Sequence, residues 1–270
     1  MKEIKKLQKT PLLFVLPFLI YILVFCFQLS LAAQTTPQEA KDIVAQCVTR
    51  MGGEAAIQNF ANFKAEGDML ITFGTRQIPG KVTVIYQGEK IYNRADISFG
   101  SETMKAIRAY DGKVAWSERM GHLTDEPALN FESDARHTMA LLLAKNTTYA
   151  LGTTTEIDGK KVVAIEATTN DNKTTFYITT DTYTVLEIVY KDLYFGDKEI
   201  KEMIEKRISY SDYKEKDGQL FPYTWKQSLE GKSNVEFHFT QITFSPTVSP
   251  SLFTRPDEKM DLRVFEEKMD

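Results

Sequence analysis

The chain has only two cysteines and three histidines in 270 residues, and that scarcity excludes several kinds of chemistry. Cys26 lies inside an N-terminal apolar run and Cys47 stands alone in the rest of the chain, so no disulfide framework can hold the exported portion together. His122, His137 and His238 show no HExxH or comparable ligand spacing, so neither a metal nor any other cofactor is expected. A Gly-x-Ser-x-Gly elbow, a phosphate loop and a Gly-x-Gly-x-x-Gly fingerprint are all missing. Acidic pairs such as Asp125-Glu126 and Glu266-Glu267 are simple neighbours in polar stretches, and nothing sets one up as acid and the other as base. The chain therefore reads as a protein that is not an enzyme. Beyond the first residues no basic cluster stands out: the net charge is −4 and the two signs interleave along most of the chain, which argues against a nucleic-acid partner.

What is present begins with a positive segment, Lys2, Lys5, Lys6 and Lys9, ahead of an apolar run from Pro11 to Phe27. That is the pattern of a secretory signal. Ser30-Leu31-Ala32-Ala33-Gln34 offers small residues for cleavage after Ala32 or Ala33, so residues 1–33 are expected to be removed and the product to reach the periplasm or extracytoplasmic envelope. Left uncleaved, the run sits at the lower length limit for a membrane anchor. Phe25 before Cys26 is too bulky for a lipoprotein lipobox. Residues 34–256 read as one domain, followed by a charged tail over 257–270.

The domain opens with a capping box, Thr36 as N-cap, Pro37 at the first helical position and Glu39 two residues on. Ala40, Ile43, Val44, Cys47, Val48 and Met51 then form one apolar helical stripe that Gly52-Gly53 ends. On that stripe Cys47 reads as a small buried apolar residue and not as a nucleophile. A short second helix is expected from Glu54 to Phe60.

From Phe63 the apolar period changes from helical to two, as in Met69, Ile71, Phe73 and again in Val82, Val84, Tyr86. Asp111-Gly112, Asp158-Gly159 and Asp217-Gly218 suit type I′ hairpin turns, whose central residues need positive φ. Together these predict a mainly β (α+β) fold with an antiparallel meander of about eleven strands. Ile200 to Tyr213 fits either a helix or a strand; the Asp217-Gly218 turn needs a partner strand before it, which favours the strand. Between the strands, Ser133 to Lys145 carries a helical stripe of Ala135, Met139, Leu142 and Leu143. A lone helix inserted in a meander must cover the apolar face of the sheet, so it is expected to form a lid and to move as a gate.

Met51-Gly52-Gly53-Glu54, then Phe63-Lys64-Ala65-Glu66-Gly67, resembles the opening of LolA-like outer-membrane lipoprotein-sorting proteins. Near the other end, Tyr210-Ser211-Asp212-Tyr213, Asp217-Gly218-Gln219-Leu220-Phe221-Pro222 and Ser251-Leu252-Phe253-Thr254-Arg255-Pro256 are similar to the same family. The resemblance implies an unclosed antiparallel half-barrel with an N-terminal helix and a lid helix on its concave side, and an apolar cavity that receives acyl chains. The family's lid-locking arginine has three candidates here, Arg76, Arg94 and Arg108, and no motif selects among them.

The alternating strand residues Val82, Val84, Tyr86, Phe176, Ile178, Phe237 and Phe239, with Met139, Leu142 and Leu143 of the lid, are the candidate cavity residues. A sheet must bury one face whether or not it binds anything, so plain core packing is the competing reading for all ten. The expected partners are lipid or lipoprotein acyl chains and other envelope proteins, with the chain a monomer. Two alternatives stay open: a structural or adaptor protein whose helices fill the concavity, and an exported hydrolase whose residues meet only in space.

Overall fold

The computed structural model describes residues 37–128, 131, 138–196 and 199–256. Helix α1 covers 37–50 and α2 covers Glu54–Gln58, followed by a 3-10 turn at Asn59–Ala61. The expected N-cap Thr36, the signal segment, the first part of the expected lid with His137, and the charged tail lie outside the described residues. Among the described residues no helix is long and apolar enough to cross a membrane.

The rest is one antiparallel sheet. Its first half is a meander of β1 (Asn62–Phe73), β2 (Arg76–Gln87), β3 (Lys90–Phe99), β4 (Glu102–Tyr110), β5 (Ala115–Arg119) and β6 (His122–Glu126). The second half is β7 (Thr148–Ile157), β8 (Lys160–Thr169), β9 (Asn172–Thr179), β10 (Val185–Gly196), β11 (Glu199–Lys216), β12 (Gln219–Leu229) and β13 (Lys232–Phe244). Pairing of β1 with β13 joins the halves, so β6 and β7 become the two free edges of a thirteen-stranded, unclosed half-barrel. The fold class is as expected; the count exceeds about eleven in part because β6, His-Leu-Thr-Asp-Glu, has too little apolar alternation to read as a strand. The segment from Ile200 to Tyr213 lies in strand β11.

Two of the three Asp-Gly pairs make the expected turn, with positive φ at both residues of Asp158-Gly159 and Asp217-Gly218. Asp111-Gly112 does not. There Asp111 Oδ1 accepts the backbone N–H of both Lys113 and Val114 at 2.8 Å, so a side-chain-capped four-residue loop replaces the tight turn between β4 and β5.

The concave face holds the main core. The α1 stripe of Ala40, Val44, Cys47, Val48 and Met51 is buried against strand residues from both halves of the sheet. At its end the Met51 carbonyl accepts the Leu220 N–H at 3.0 Å, which ties the helix to the start of β12. Gly52 is required there, since its φ is +107° and a Cβ would lie 2.8 Å from the Gly218 carbonyl oxygen. On the convex face a smaller core joins Ile85, Tyr92, Ile107 and Trp116 to Phe253, whose carbonyl accepts the Trp116 indole N–H at 2.9 Å.

Burial pushes the Cys47 thiol up to about 12 from an ordinary 9.0. In the unfolded chain the thiol ionises near its ordinary value while the folded chain keeps it neutral. This contribution to stability is therefore complete below pH 9 and is lost as the pH rises toward 12, by roughly 1 kcal/mol per pH unit. Buried Tyr210 and Tyr213 are also raised, chiefly by desolvation, and act in the same direction at higher pH. The native thiol should resist iodoacetamide at pH 8 and react fully in urea. Rapid labelling of the folded protein would contradict the packing of α1.

Candidate functional site

On the concave face an open cavity of about 500 Å³ lies between β1–β5 and β12–β13. Strand register explains the space. The pairings Gly67↔Val82, Val82↔Ala95, Ala95↔Ala106 and Ala106↔Arg119 form one continuous rung across five strands. Apart from Val82 its first four members are glycine or alanine, so the sheet buries little side-chain volume along that line. Gly67 is small for a backbone reason: the β1–β13 register shifts between Glu66 and Gly67, and a Cβ there would lie 2.1 Å from the His238 carbonyl oxygen.

Below the rung is an aromatic floor. Trp225 lines the cavity and packs edge-on to Phe63, Tyr210 and Phe239 with ring centroids 5.3–5.5 Å apart, while Phe221 beneath stacks on Phe60 at 4.6 Å. The Trp225 indole donates to the Pro222 carbonyl at 3.0 Å, which fixes its ring. Above the rung the hairpin tips carry exposed apolar side chains, Phe73 at 80% and Met120 at 76% exposure, and Phe73 borders the cavity. Apolar surface thus runs unbroken from the rim into the interior.

The charged groups at the cavity are arginines. Arg108 pairs with Glu126 at 3.0 Å and lies over the Phe131 ring, 4.6 Å from its centroid. Arg94 pairs with Asp96 at 3.1 Å, a hydrogen bond that raises its pKa further. Arg119 has no acidic partner among the described residues, and no Asp or Glu lines the cavity. The Asn93 side-chain oxygen is buried in the wall without a hydrogen-bond partner among the described residues. Among the described residues no cluster of His, Cys, Asp and Glu could hold a metal ion. A second depression of about 540 Å³ is of a different kind, lined mostly by polar and charged groups such as Lys226, Glu236 and the Glu187–Arg207 ion pair.

Four of the ten candidate residues, Val82, Val84, Tyr86 and Phe237, line the cavity. Phe239 packs behind it against Trp225 and Phe237. Phe176 and Ile178 are fully buried in the main core, away from the cavity lining. Met139 and Leu142 are buried in the same core and Leu143 packs at its border, and none of the three borders the cavity. The expected α-helix is corrected at this point: Met139–Leu143 is a 3-10 turn, started by Thr138, whose hydroxyl accepts the Ala140 N–H, and followed by extended Ala144. It belongs to the segment linking the two sheet edges, β6 to β7, and it packs against α2. Of the three candidate lid arginines, Arg108 contacts that segment among the described residues, through Phe131. Ala95, Ala106, Arg119 and Trp225 were not anticipated from sequence: the first three are revealed only by the rung, and Trp225 only by the pairing of β12 with β13.

No family model matches the chain, and no curated protein matches it in sequence. Solved structures do match. A LolA-superfamily protein from Nitrosomonas europaea superposes with a TM-score of 0.50 at 10% identity, covering 82% of this chain and 98% of that one. The chain has a LolA-like fold. A putative outer-membrane lipoprotein-sorting domain from Vibrio parahaemolyticus aligns with a TM-score of 0.48 at 10% identity, over 80% of this chain and 97% of that one. A DUF1329-family protein from Desulfovibrio piger gives 0.48 at 12% identity, over 81% and 97%. In this LolA-like chain, α1 and the edge-to-edge segment pack into the shared concave core, while the small-residue rung leaves open space over β1–β5.

Proposed function

We propose that this protein binds and carries acyl chains of a lipid or lipoprotein in the cell envelope, using the cavity between β1–β5 and β12–β13. The observation that carries this reading is an apolar, rim-accessible cavity of about 500 Å³ with an aromatic floor, within the size range of small-molecule sites. Its continuity with exposed Phe73 offers a tail a route in without crossing a polar barrier. The LolA-like fold and the lysine-rich apolar N-terminus support the same assignment. The alternative of a filled, non-binding sheet is disfavoured by the open volume, and a hydrolase by a lining without Asp, Glu, His, Ser or Cys.

Delipidated protein should take up the neutral probe N-phenyl-1-naphthylamine with a rise in its fluorescence and quenching of tryptophan emission. The chain has two tryptophans, and only Trp225 faces the cavity, Trp116 lying in the convex core. Quenching should therefore vanish in Trp225→Phe and persist in Trp116→Phe. Ala95→Leu places added carbons in open space and should abolish uptake while the protein stays folded. Uptake unchanged in Ala95→Leu would show that the probe binds elsewhere.

A further inference from the structure

The cavity has a size and a sign that its apolar walls alone do not require. At roughly 30 Å³ for each methylene, about the liquid volume of a water molecule, a cavity of about 500 Å³ matches the scale of one acyl chain. The charged side chains at its wall are all arginines, with no carboxylate among the lining residues. Two of these cations are already neutralised, Arg94 by Asp96 and Arg108 by Glu126. Arg119 is not, among the described residues. It closes the rung whose neighbouring members are Ala106 and Ala95, so beside it stand methyl groups and open cavity. A guanidinium at the end of an apolar trough complements an anionic group joined to an apolar tail, and its fork suits a carboxylate or phosphate.

We propose that the cavity selects a single-chain anionic amphiphile, its head on Arg119 and its tail laid along the Ala106–Ala95–Val82 rung toward Trp225. This rests on the acyl-binding reading and narrows it, away from multi-chain lipids and from neutral ones. Arg119 acts as the specificity-determining contact. Because it sits near the exposed rim, its contribution should weaken as salt rises.

The test is displacement of N-phenyl-1-naphthylamine from the chain over residues 34–270 by palmitate, palmitoyl lysophosphatidic acid, hexadecanol and dipalmitoyl phosphatidylglycerol, in wild type, Arg119→Gln and Arg119→Lys. Wild type should bind at least one of the two single-chain anions about tenfold or more tighter than hexadecanol, and whichever of the two binds tighter identifies the head group as carboxylate or phosphate. Arg119→Gln should erase that preference while leaving hexadecanol unchanged, and Arg119→Lys should retain part of it. Equal binding of palmitate, lysophosphatidic acid and hexadecanol, a preference that survives Arg119→Gln, or tighter binding of the two-chain lipid would each overturn the proposal. Failure of wild type to bind the neutral probe would instead remove the underlying carrier reading. Arg119 is exposed and unpaired among the described residues, so both variants should melt with wild type and the comparison stays clean.

Discussion

Phe221→Ala should destabilise the protein by about 3 to 5 kcal/mol, the range for deleting a fully buried aromatic ring whose site cannot collapse. Phe221 has no exposed surface and is the hub of the floor, stacked on Phe60 at 4.6 Å and meeting Phe63, Phe244 and Trp225 at 5.4, 5.5 and 6.0 Å. These partners come from the turn after α2 and from β1, β12 and β13, so the ring joins the strands that close the first half of the sheet onto the second. Aromatic pairs add to area burial, and a sheet backbone cannot close in on the hole without disturbing its ladder. Urea unfolding followed by circular dichroism measures the loss. A change under 1 kcal/mol would mean that the floor repacks freely, and the packed aromatic floor described above would have to be abandoned.

Leu142→Ala is the second large effect expected, a loss of about 2 to 5 kcal/mol. Leu142 is 2% exposed, Met139 beside it is fully buried, and the Leu142 carbonyl accepts the Tyr149 hydroxyl at 2.7 Å. Leu142 is thereby held both to the core and to edge strand β7. A gate exchanging between docked and open positions would already spend time without these contacts, so truncation would cost little and probe exchange would accelerate. The packing favours a fixed cap: stability should fall steeply and the rate of N-phenyl-1-naphthylamine exchange should stay as in wild type. A small stability loss with faster exchange would restore the gate.

Much of this could be read from the chain alone, because the decisive signals are local. The α1 stripe with its Gly-Gly stop, the period-two alternation of β1 and β2, and the Asp-Gly turns at 158 and 217 each depend on residues a few positions apart, and that is how backbone preference is encoded. The same alternation tells which residues share a face, so Val82, Val84, Tyr86 and Phe237 could be nominated for the cavity. It does not tell which of them face space and which face other side chains. Phe176 and Ile178 carry the same pattern and are packed solid.

That distinction depends on register between strands far apart in sequence, such as Phe63 opposite Phe244, and register is set by packing and bulges in the assembled sheet. The slip at Glu66/Gly67 and the meeting of Phe63 with Phe221 and Trp225 exist only once β1 meets β13, and the row of small residues ending in Arg119 exists only once four successive hairpins have taken their registers. The edge-to-edge segment makes the same point: Met139, Leu142 and Leu143 have helical spacing, but tertiary contacts with α2 and Tyr149 hold them in a 3-10 turn. Short-range periodicity thus determined the strands and α1 of this protein, and the registers of the assembled sheet decided where it is empty and which charge faces the opening.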